Sequence, residues 1–258
     1  MAGVSPDGRA AGTRGAEVRA LRAWASHLGT FGERLWPGAI SFARGINTRG
    51  QIVGNVLFDA GEFMLSRGFL LAASGQNTFL MPPHGGTTVA KAINDAGDVA
   101  LNATPLGAGL DDTRAWCLRE NCYCAIPCLG GRRSSANALT PAGRIAGWSL
   151  TTTGVRHAFL WEDGHTTDLA AGDSQNSEAL AANDARTVVG RTIAPDGTPR
   201  AFRWTPGTGL QPLDGLVDLP RGWRLREAVA INRHGLIAGV GLRRGQLRGF
   251  LLTPTLEA

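Results

Sequence analysis

Short apolar runs alternate with polar turns along this chain, and glycine interrupts almost every run. Runs of about four to eight apolar or alternating residues, bounded by Gly, Pro, Asn and Asp, are typical of β-strands. A helix would need an apolar stripe, recurring every three to four residues, that continues without such breaks. The pattern therefore predicts an all-β protein.

One phrase returns along the whole chain. It consists of a polar turn, a glycine, an apolar pair and a second glycine, as in INTRGQIVG (46–54) and INRHGLIAG (231–239). Each copy is followed by a basic, a small and an aromatic residue, as in 157–159. Self-similarity at intervals of 42 to 49 residues predicts a repeat architecture with several short strands per unit. The six copies end at residues 12, 54, 101, 147, 190 and 239.

Each repeat can be divided into four strands, which we call a to d. Strand a corresponds to Ala90–Asn94, strand b to runs such as QIVG, strand c to HAFLW (157–161) and strand d to Thr166–Leu169. Asn, Asp and Gly supply the positive φ values that the tight turns need. Small residues recur on strand a and aromatic residues on strand c, which suits sheets stacked around an axis. We predict a single domain over 1–258, a β-propeller of six four-stranded blades, with five or seven blades as alternatives.

Two segments carry a family resemblance. HLGTFGERLWPGAISFARGINTRGQIVG (27–54) and VRHAFLWEDGHTTDL (155–169) resemble the HAF repeat, which takes its name from the triplet at His157–Phe159. The resemblance extends over nearly the whole chain. It implies a propeller-like all-β fold. It implies little about activity, because the family is usually described as extracellular and of unknown role.

The repeat gives a structural interpretation to residues that would otherwise suggest chemistry. A basic residue before the small and aromatic pair recurs in every unit, so His157 and its equivalents are expected to make scaffold hydrogen bonds. Asn47, Asn94, Asn183 and Asn232 are expected to form turns. Candidate functional residues are therefore those that break the pattern. The recurring basic residues are Arg22, Arg67, Arg114, His157, Arg200 and Arg248.

The pattern-breaking residues concentrate in the d-to-a and b-to-c loops and on strand a. These loops share one face of a propeller, where a rigid scaffold can hold a ligand pocket. Glu178, Glu227 and His84 are the candidate acid and base residues, and Trp36 and Trp223 could stack on an apolar ligand. Charged groups near the axis are costly unless paired or solvated, so Arg44, Lys91, Glu178 and Glu227 could equally form structural pairs across the central channel. The predicted substrate-binding residues are Glu33, Trp36, Arg44, Asp59, Lys91, Asp112, Trp223 and Arg226.

All four cysteines lie in CLRENCYCAIPC (117–128). Such crowding suggests metal, but the segment lacks the C-x2-C spacing of ordinary zinc sites. With Glu120-Asn121 as a turn, Cys117 would face Cys124 across a hairpin. Metal binding, a disulfide and free thiols stay open, and we assign neither a metal site nor a cysteine nucleophile.

Net charge and targeting signals limit the classes of binding partner and the location that we expect. The net charge is +5 and the pI about 9.7, but the arginines are scattered and form no basic stripe interleaved with aromatic residues, so we expect no nucleic-acid partner. No apolar segment approaches the ~20 residues that span a bilayer, so no membrane partner is expected. The N-terminal residues lack the apolar core of a secretion signal, and we expect a cytoplasmic monomer or dimer.

The sequence leaves two hypotheses for the function. No phosphate-binding glycine loop, dinucleotide fingerprint, HExxH motif or Ser-His-Asp order is present, and no cofactor is implied. The first hypothesis is a cofactor-independent cyclase, isomerase or lyase acting on a small, largely apolar molecule, in bacterial specialised metabolism. The second is a non-catalytic propeller that binds a carbohydrate or a protein partner.

Overall fold

The computed structural model describes residues 3–4, 10–14, 17–22, 25–28, 39–61 and 64–254, with side chains from residue 39 onward. Antiparallel sheets dominate, and the helical elements in these ranges are two single turns of 3₁₀ helix, Leu110–Asp112 and Leu213–Gly215. No helix within the described ranges is long and apolar enough to cross a bilayer. The chain divides into two compact units, Met1–Ile126 and Pro127–Ala258.

The first unit contains three four-stranded antiparallel sheets, in each of which neighbouring strands follow chain order. Their strands are β1 Gly3–Val4, β2 Ala10–Arg14, β3 Glu17–Arg22 and β4 Ala25–Leu28; β5 Ile40–Ile46, β6 Ile52–Asp59, β7 Met64–Leu71 and β8 Asn77–Leu80; and β9 Gly85–Ile93, β10 Val99–Pro105, β11 Arg114–Arg119 and β12 Cys122–Ala125.

The second unit contains two four-stranded sheets and one sheet of three strands. Their strands are β13 Gly130–Leu139, β14 Ile145–Thr151, β15 Arg156–Glu162 and β16 His165–Asp168; β17 Asn176–Ala182, β18 Val188–Ile193, β19 Pro199–Thr205 and β20 Gly209–Pro212; and β21 Trp223–Ile231, β22 Ile237–Arg243 and β23 Gln246–Leu252.

The predicted positions of the strands are confirmed, but the predicted blade count is wrong. Strands a, c and d of the sequence pattern coincide with β9, β15 and β16. Five sheets have four strands, whereas the sheet of the last repeat has three within the described residues, so there are five four-stranded sheets and not six. The single domain over 1–258 stays a prediction.

Every strand a from the second repeat onward carries a β-bulge. One residue has no partner opposite it in the register, and its two neighbours pair with consecutive residues of strand b. A bulge bends a strand and turns one side chain away from the regular alternation. The side chain at the bulge therefore lies outside the alternation of the strand, and the position is polar in some repeats and apolar in others. The bulged residues are Arg44, Lys91, Asn137, Leu180 and Val229.

The second glycine of the repeated phrase lies against the backbone of strand a. A Cβ atom built on Gly147 would lie 1.9 Å from the carbonyl oxygen of Ser135, the residue two before the bulge. Gly54, Gly190 and Gly239 face the equivalent carbonyl at 1.9, 2.0 and 2.2 Å. None of the four has a positive φ. Close approach of the neighbouring backbone, and not backbone conformation, therefore requires glycine here.

The hydrophobic core lies in layers between consecutive sheets of each unit. In the second unit, Ala146, Leu160 and Leu169 of one sheet pack with Ala179 and Phe202 of the next. Aromatic residues of strand c are central, as the sequence predicted. Phe69, Phe159 and Phe202 pair with the glycine that closes the repeated phrase on strand b, and all three have no exposed surface.

Side-chain hydrogen bonds join successive repeats within each unit. The buried hydroxyl of Thr88 accepts a hydrogen bond of 2.6 Å from the Gly68 amide of the preceding sheet, and Ser177 accepts one of 2.8 Å from Ala158. The side chain of Asn183 accepts from the Thr187 amide within its own turn. The expectation that Asn183 forms a turn is confirmed.

The first repeat departs from the predicted alignment. In the later repeats the strand-b position that closes the phrase pairs with an aromatic residue, but Gly12 pairs with Arg19. The triplet Arg22-Ala23-Trp24 is therefore not equivalent to the later basic-small-aromatic triplets. Arg22 ends β3, and residues 23–24 lie outside the described residues.

Candidate functional site

A cavity of about 330 Å³ opens at one end of the middle sheet of the second unit. It lies where β17 begins, β18 ends and the turn between β14 and β15 approaches them. These are the d-to-a and b-to-c ends of the repeats, which is where the sequence predicted a pocket. The cavity is lined by Leu150, Gly154, Arg156, Asn176, Ser177, Glu178, Arg191 and Ile193.

Glu178 lies at the centre of the polar groups around this cavity. Its Oε2 accepts a hydrogen bond of 3.0 Å from Nη2 of Arg191, and its Oε1 accepts one of 3.0 Å from Nδ2 of Asn137. Nη1 of the same arginine donates to Oε2 of Glu227, also at 3.0 Å. Two carboxylates from neighbouring sheets are thus joined by one guanidinium.

A second arginine completes the group. Nη1 of Arg156 lies 3.7 Å from Oε2 of Glu178, and the Arg156 guanidinium stacks over the ring of Trp148 at 4.1 Å. The backbone amide of Arg156 donates to Oδ1 of Asn176 at 2.9 Å. We call Arg156, Glu178, Arg191 and Glu227 the charge network.

The charge network is balanced and held from several sides. It contains two guanidiniums and two carboxylates, so its formal charge is zero. The Glu178 side chain is only 13% exposed, whereas those of Arg191 and Glu227 are 36% and 30% exposed. A nearly buried carboxylate needs such partners, because desolvation of an unpaired charge is costly. The network therefore presents fixed hydrogen-bond donors and acceptors to the cavity, while its formal charge is zero.

The structure brings together two of the four residues that were predicted in this unit. Glu178 and Glu227 share Arg191 as a partner. Trp223 instead packs against the core between the last two sheets, with the Arg243 guanidinium 5.9 Å from its ring. Arg226 is the unpaired residue of an additional bulge in β21 and does not line the cavity.

The predicted residues of the first unit that the structure describes lie on several different elements. His84 is exposed in the turn before β9, with a φ of 61°, and Asp59 accepts a hydrogen bond from the Gly61 amide of its own loop. Arg44 and Lys91 are bulged residues, and Arg44 is exposed over the ring of Phe42 at 5.6 Å.

The three remaining predicted residues are Asp112, Glu33 and Trp36. Asp112 lies in the 3₁₀ helix Leu110–Asp112. Glu33 and Trp36 lie outside the described residues. The catalytic and binding roles assigned to all of these residues stay predictions.

A second cavity, of about 390 Å³, lies in the first unit. Its lining is mainly apolar and includes Leu106 and Leu110, which are 76% and 70% exposed. Among the described residues, no Asp, Glu or His belongs to this lining. In the described part of the chain, the mainly apolar cavity and the cavity lined by Glu178 are therefore two different cavities.

Arg191 and Arg156 are the residues that sequence reasoning missed. Arg191 follows the phrase-closing Gly190 on strand b, at a position that holds Asn55, Trp148 and Val240 in other repeats. A cation there breaks the pattern as clearly as Glu178 does on strand a. Residues on strand b that depart from the repeat therefore indicate the site as well as those on strand a and in the loops.

His157 has the scaffold role that was expected of it. The ring is buried, with Nδ1 2.9 Å from Oδ2 of Asp168 and Nε2 3.0 Å from the carbonyl oxygen of Asp173. Both ring nitrogens are thus engaged within the same repeat. The histidine of the HAF triplet fixes strand c to strand d and the following loop.

The cysteine hairpin has the predicted register. Glu120 and Asn121 both have positive φ values, 50° and 64°, as a type I′ turn requires, and Cys117 pairs with Cys124. Cys117 is buried, whereas Cys122 and Cys124 are exposed. Within 39–61 and 64–254, no three His, Cys, Asp or Glu side chains are grouped so that they could hold a metal ion.

Solved structures identify the architecture. The β-propeller domain of the trilobed protease from Pyrococcus furiosus matches 99% of this chain and 84% of its own length, with a TM-score of 0.63 and 8% identity. The fold is propeller-like. A dipeptidyl peptidase 4 from Porphyromonas gingivalis gives a TM-score of 0.57 at 8% identity over 93% of this chain and 43% of its own. A putative TolB from Agrobacterium tumefaciens gives 0.52 at 10% identity over 78% and 73%.

These similarities concern the fold alone, because propellers at such low identity host unrelated functions. No protein-family model matches the chain, and no curated protein matches it. Membership of the HAF-repeat family is not confirmed and stays a hypothesis from the sequence. Function must therefore be argued from the cavity and its charge network.

Proposed function

We propose that the cavity beside Glu178 binds a small, neutral, polyhydroxylated molecule of the carbohydrate class. The observation that carries this proposal is the charge network, three members of which, Arg156, Glu178 and Arg191, line a polar cavity. Glu227 lies outside this lining but binds Arg191, so the network as a whole has no formal net charge to attract an ion. It offers instead several fixed donors and acceptors close together, which is what vicinal hydroxyl groups need.

The chemistry of the lining supports this ligand class. A hydroxyl group donates one hydrogen bond and accepts others, so Glu178 can accept from it while Arg191 or Arg156 donates. Leu150 and Ile193 provide apolar surface for the C–H face of a ring. The volume of about 330 Å³ is at the lower end of the range of ~300–1,000 Å³ for ligand sites, which fits a monosaccharide or a disaccharide end.

Preorganisation supports binding as well. Glu178 and Arg191 are already held by hydrogen bonds of 3.0 Å, so few rotamers remain to be fixed when a ligand arrives. Ordering a long side chain otherwise costs about 0.5–1.5 kcal/mol. The same contacts that stabilise the two sheets therefore lower the cost of recognition.

The second candidate function is acid–base catalysis by a cyclase, isomerase or lyase. It is favoured by one observation, the joining of Glu178 and Glu227 through Arg191, in which Glu178 and Arg191 line the cavity and Glu227 holds the arginine from the neighbouring sheet. In that case Glu178 would exchange a proton with a bound substrate and Glu227 would hold Arg191 in position. The polar lining argues for a polar substrate and against the largely apolar one that the sequence suggested.

Calorimetric titration of the purified chain with a panel of neutral mono- and disaccharides tests the proposal. Glu178→Gln should weaken the binding of a positive sugar at least tenfold, equivalent to about 1.4 kcal/mol. Glu162→Gln is the matched control, because Glu162 also lies between two arginines, Arg144 and Arg186, but outside the cavity. Thermal unfolding of both variants checks that each is folded.

The outcomes separate the two functions. Sugar binding that depends on Glu178, with no change in the ligand followed by NMR, supports a binding protein. Conversion of the ligand that is lost in Glu178→Gln supports the enzyme. Binding that is equally strong in both variants would place the ligand elsewhere and overturn the assignment of this cavity.

A further inference from the structure

The hairpin β11–β12 places two thiols opposite each other at the edge of a sheet. Cys117 on β11 is fully buried, and its partner in the register, Cys124, is exposed on β12, the outermost strand. We propose that Cys117 and Cys124 form a reversible disulfide, which makes this hairpin a modification site for low-molecular-weight disulfides.

The backbone geometry permits this bond. The amide of Ile126 donates to the carbonyl of Ala115 at 3.0 Å, which marks that pair as hydrogen-bonded. Pairs alternate along an antiparallel ladder, so Cys117 and Cys124, two positions further, are also a hydrogen-bonded pair with a Cα separation of about 5.5 Å. Disulfides span Cα separations of about 4.4–6.8 Å.

The alternative pairing within the hairpin is less favourable. Cys122 pairs with Arg119, so it is diagonal to Cys117 at about 7–8 Å. Cys122 and Cys124 are separated by one residue on the same extended strand, which places their Cα atoms about 6.5 Å apart, at the upper end of the range that a disulfide spans. The register therefore selects Cys124 as the partner of Cys117.

Exposure and burial assign the order of the two chemical steps. The exposed Cys124 thiolate attacks an external disulfide RSSR, forms a mixed disulfide and releases one thiolate RS⁻. Cys117 then loses its proton and attacks the Cys124 sulfur, which expels the second RS⁻. Two protein thiols are oxidised, one RSSR is reduced to two RSH, and two electrons are transferred in all.

The second step is slow because of the surroundings of Cys117. Burial raises the pKa of its thiol to about 11, so little thiolate is present near neutral pH. The mixed disulfide on Cys124 should therefore persist long enough to be detected. Closure then ties β12 to β11 beside Tyr123, whose hydroxyl accepts a hydrogen bond of 2.9 Å from the Met81 amide.

The test uses the full chain with Cys122→Ser and Cys128→Ser together, which leaves the proposed pair as the two remaining cysteines. The protein is incubated with glutathione disulfide and digested with trypsin without reduction. Cleavage after Arg119 separates AWCLR (115–119) from the peptide that carries Cys124, so a disulfide joins two peptides that are otherwise separate. Circular dichroism confirms that the variant is folded.

We expect a transient glutathione adduct on Cys124, followed by loss of about 2 Da from the intact protein and appearance of the linked peptides. Dithiothreitol should reverse both. Adding Cys124→Ser, an exposed position, should abolish the mass loss and leave Cys117 unmodified. A stable adduct on Cys124 that never resolves, or the absence of linked peptides after prolonged incubation, would overturn the proposal.

Discussion

Replacing Gly147 by alanine tests the account of the bulged strands most directly. The new Cβ would lie 1.9 Å from the Ser135 carbonyl oxygen, 2.9 Å from the Ser135 carbonyl carbon and 3.0 Å from Cα of Ala136. All three atoms belong to the backbone, so no side chain can rotate away. The strands must separate by about 1 Å or more, and we expect a loss of about 3 kcal/mol, at the upper end of the range for overpacking.

Thermal unfolding followed by circular dichroism measures this loss. A chain of this size loses about 2–4 °C in Tm for each kcal/mol, so Gly147→Ala should lower Tm by about 6–12 °C. Gly207→Ala is the matched control, because no atom lies within 4 Å of a Cβ there and its φ is not positive. The control should stay within about 2 °C of the unchanged chain. An equally small change for Gly147→Ala would refute the reasoning.

The third repeat limits how far this rule extends. Leu101 occupies the position of Gly147 there, is fully buried, and its strand keeps the bulge at Lys91. Glycine is thus required by the approach of one carbonyl group and not by the bulge itself. The cost of alanine should follow the distance to that carbonyl from one repeat to another.

Three further predictions follow from buried or charged groups. Thr88→Val keeps the side-chain shape but leaves the buried amide of Gly68 without its acceptor, so urea unfolding should show a loss of about 1–3 kcal/mol; no loss would contradict the hydrogen bond. Hydrogen bonding from Arg144 lowers the pKa of Glu162 below 4.5, so its carboxylate stabilises the fold above that value, and this contribution disappears as pH falls through the lower folded-state pKa. The Tm of Glu162→Gln should therefore fall by less than the Tm of the unchanged chain when the pH is lowered from about 6 to about 3, and equal decreases would argue against the ion pair. Burial raises the pKa of Tyr123, the chain's one tyrosine, so the ultraviolet tyrosinate transition should have its midpoint above 10, and a midpoint at or below this value would contradict the burial.

Part of the candidate site could be predicted from the sequence, because the repeat defines what is ordinary at each position. Glu178 and Glu227 stand out where other repeats have Phe42 and Val89. Their common partner, Arg191, is an outlier on strand b, but its contact with Glu227 could not be predicted, because it joins strand b of one sheet to strand a of the next. The packing of Trp223 against the core of the last two sheets could not be predicted either, since the sequence shows only an aromatic residue in a loop.

The sequence by itself determined the strands, the turns and the repeated unit. These depend on local physics, namely the alternation of apolar and polar residues, the glycines and asparagines that permit tight turns, and the return of the same phrase along the chain. The tertiary structure alone decided the three-strand sheet of the last repeat, the bulges, and the pairing of Glu178 and Glu227 through Arg191. Those features arise where backbone atoms and charges from different strands and sheets come within a few ångströms, and no spacing along the chain encodes such distances.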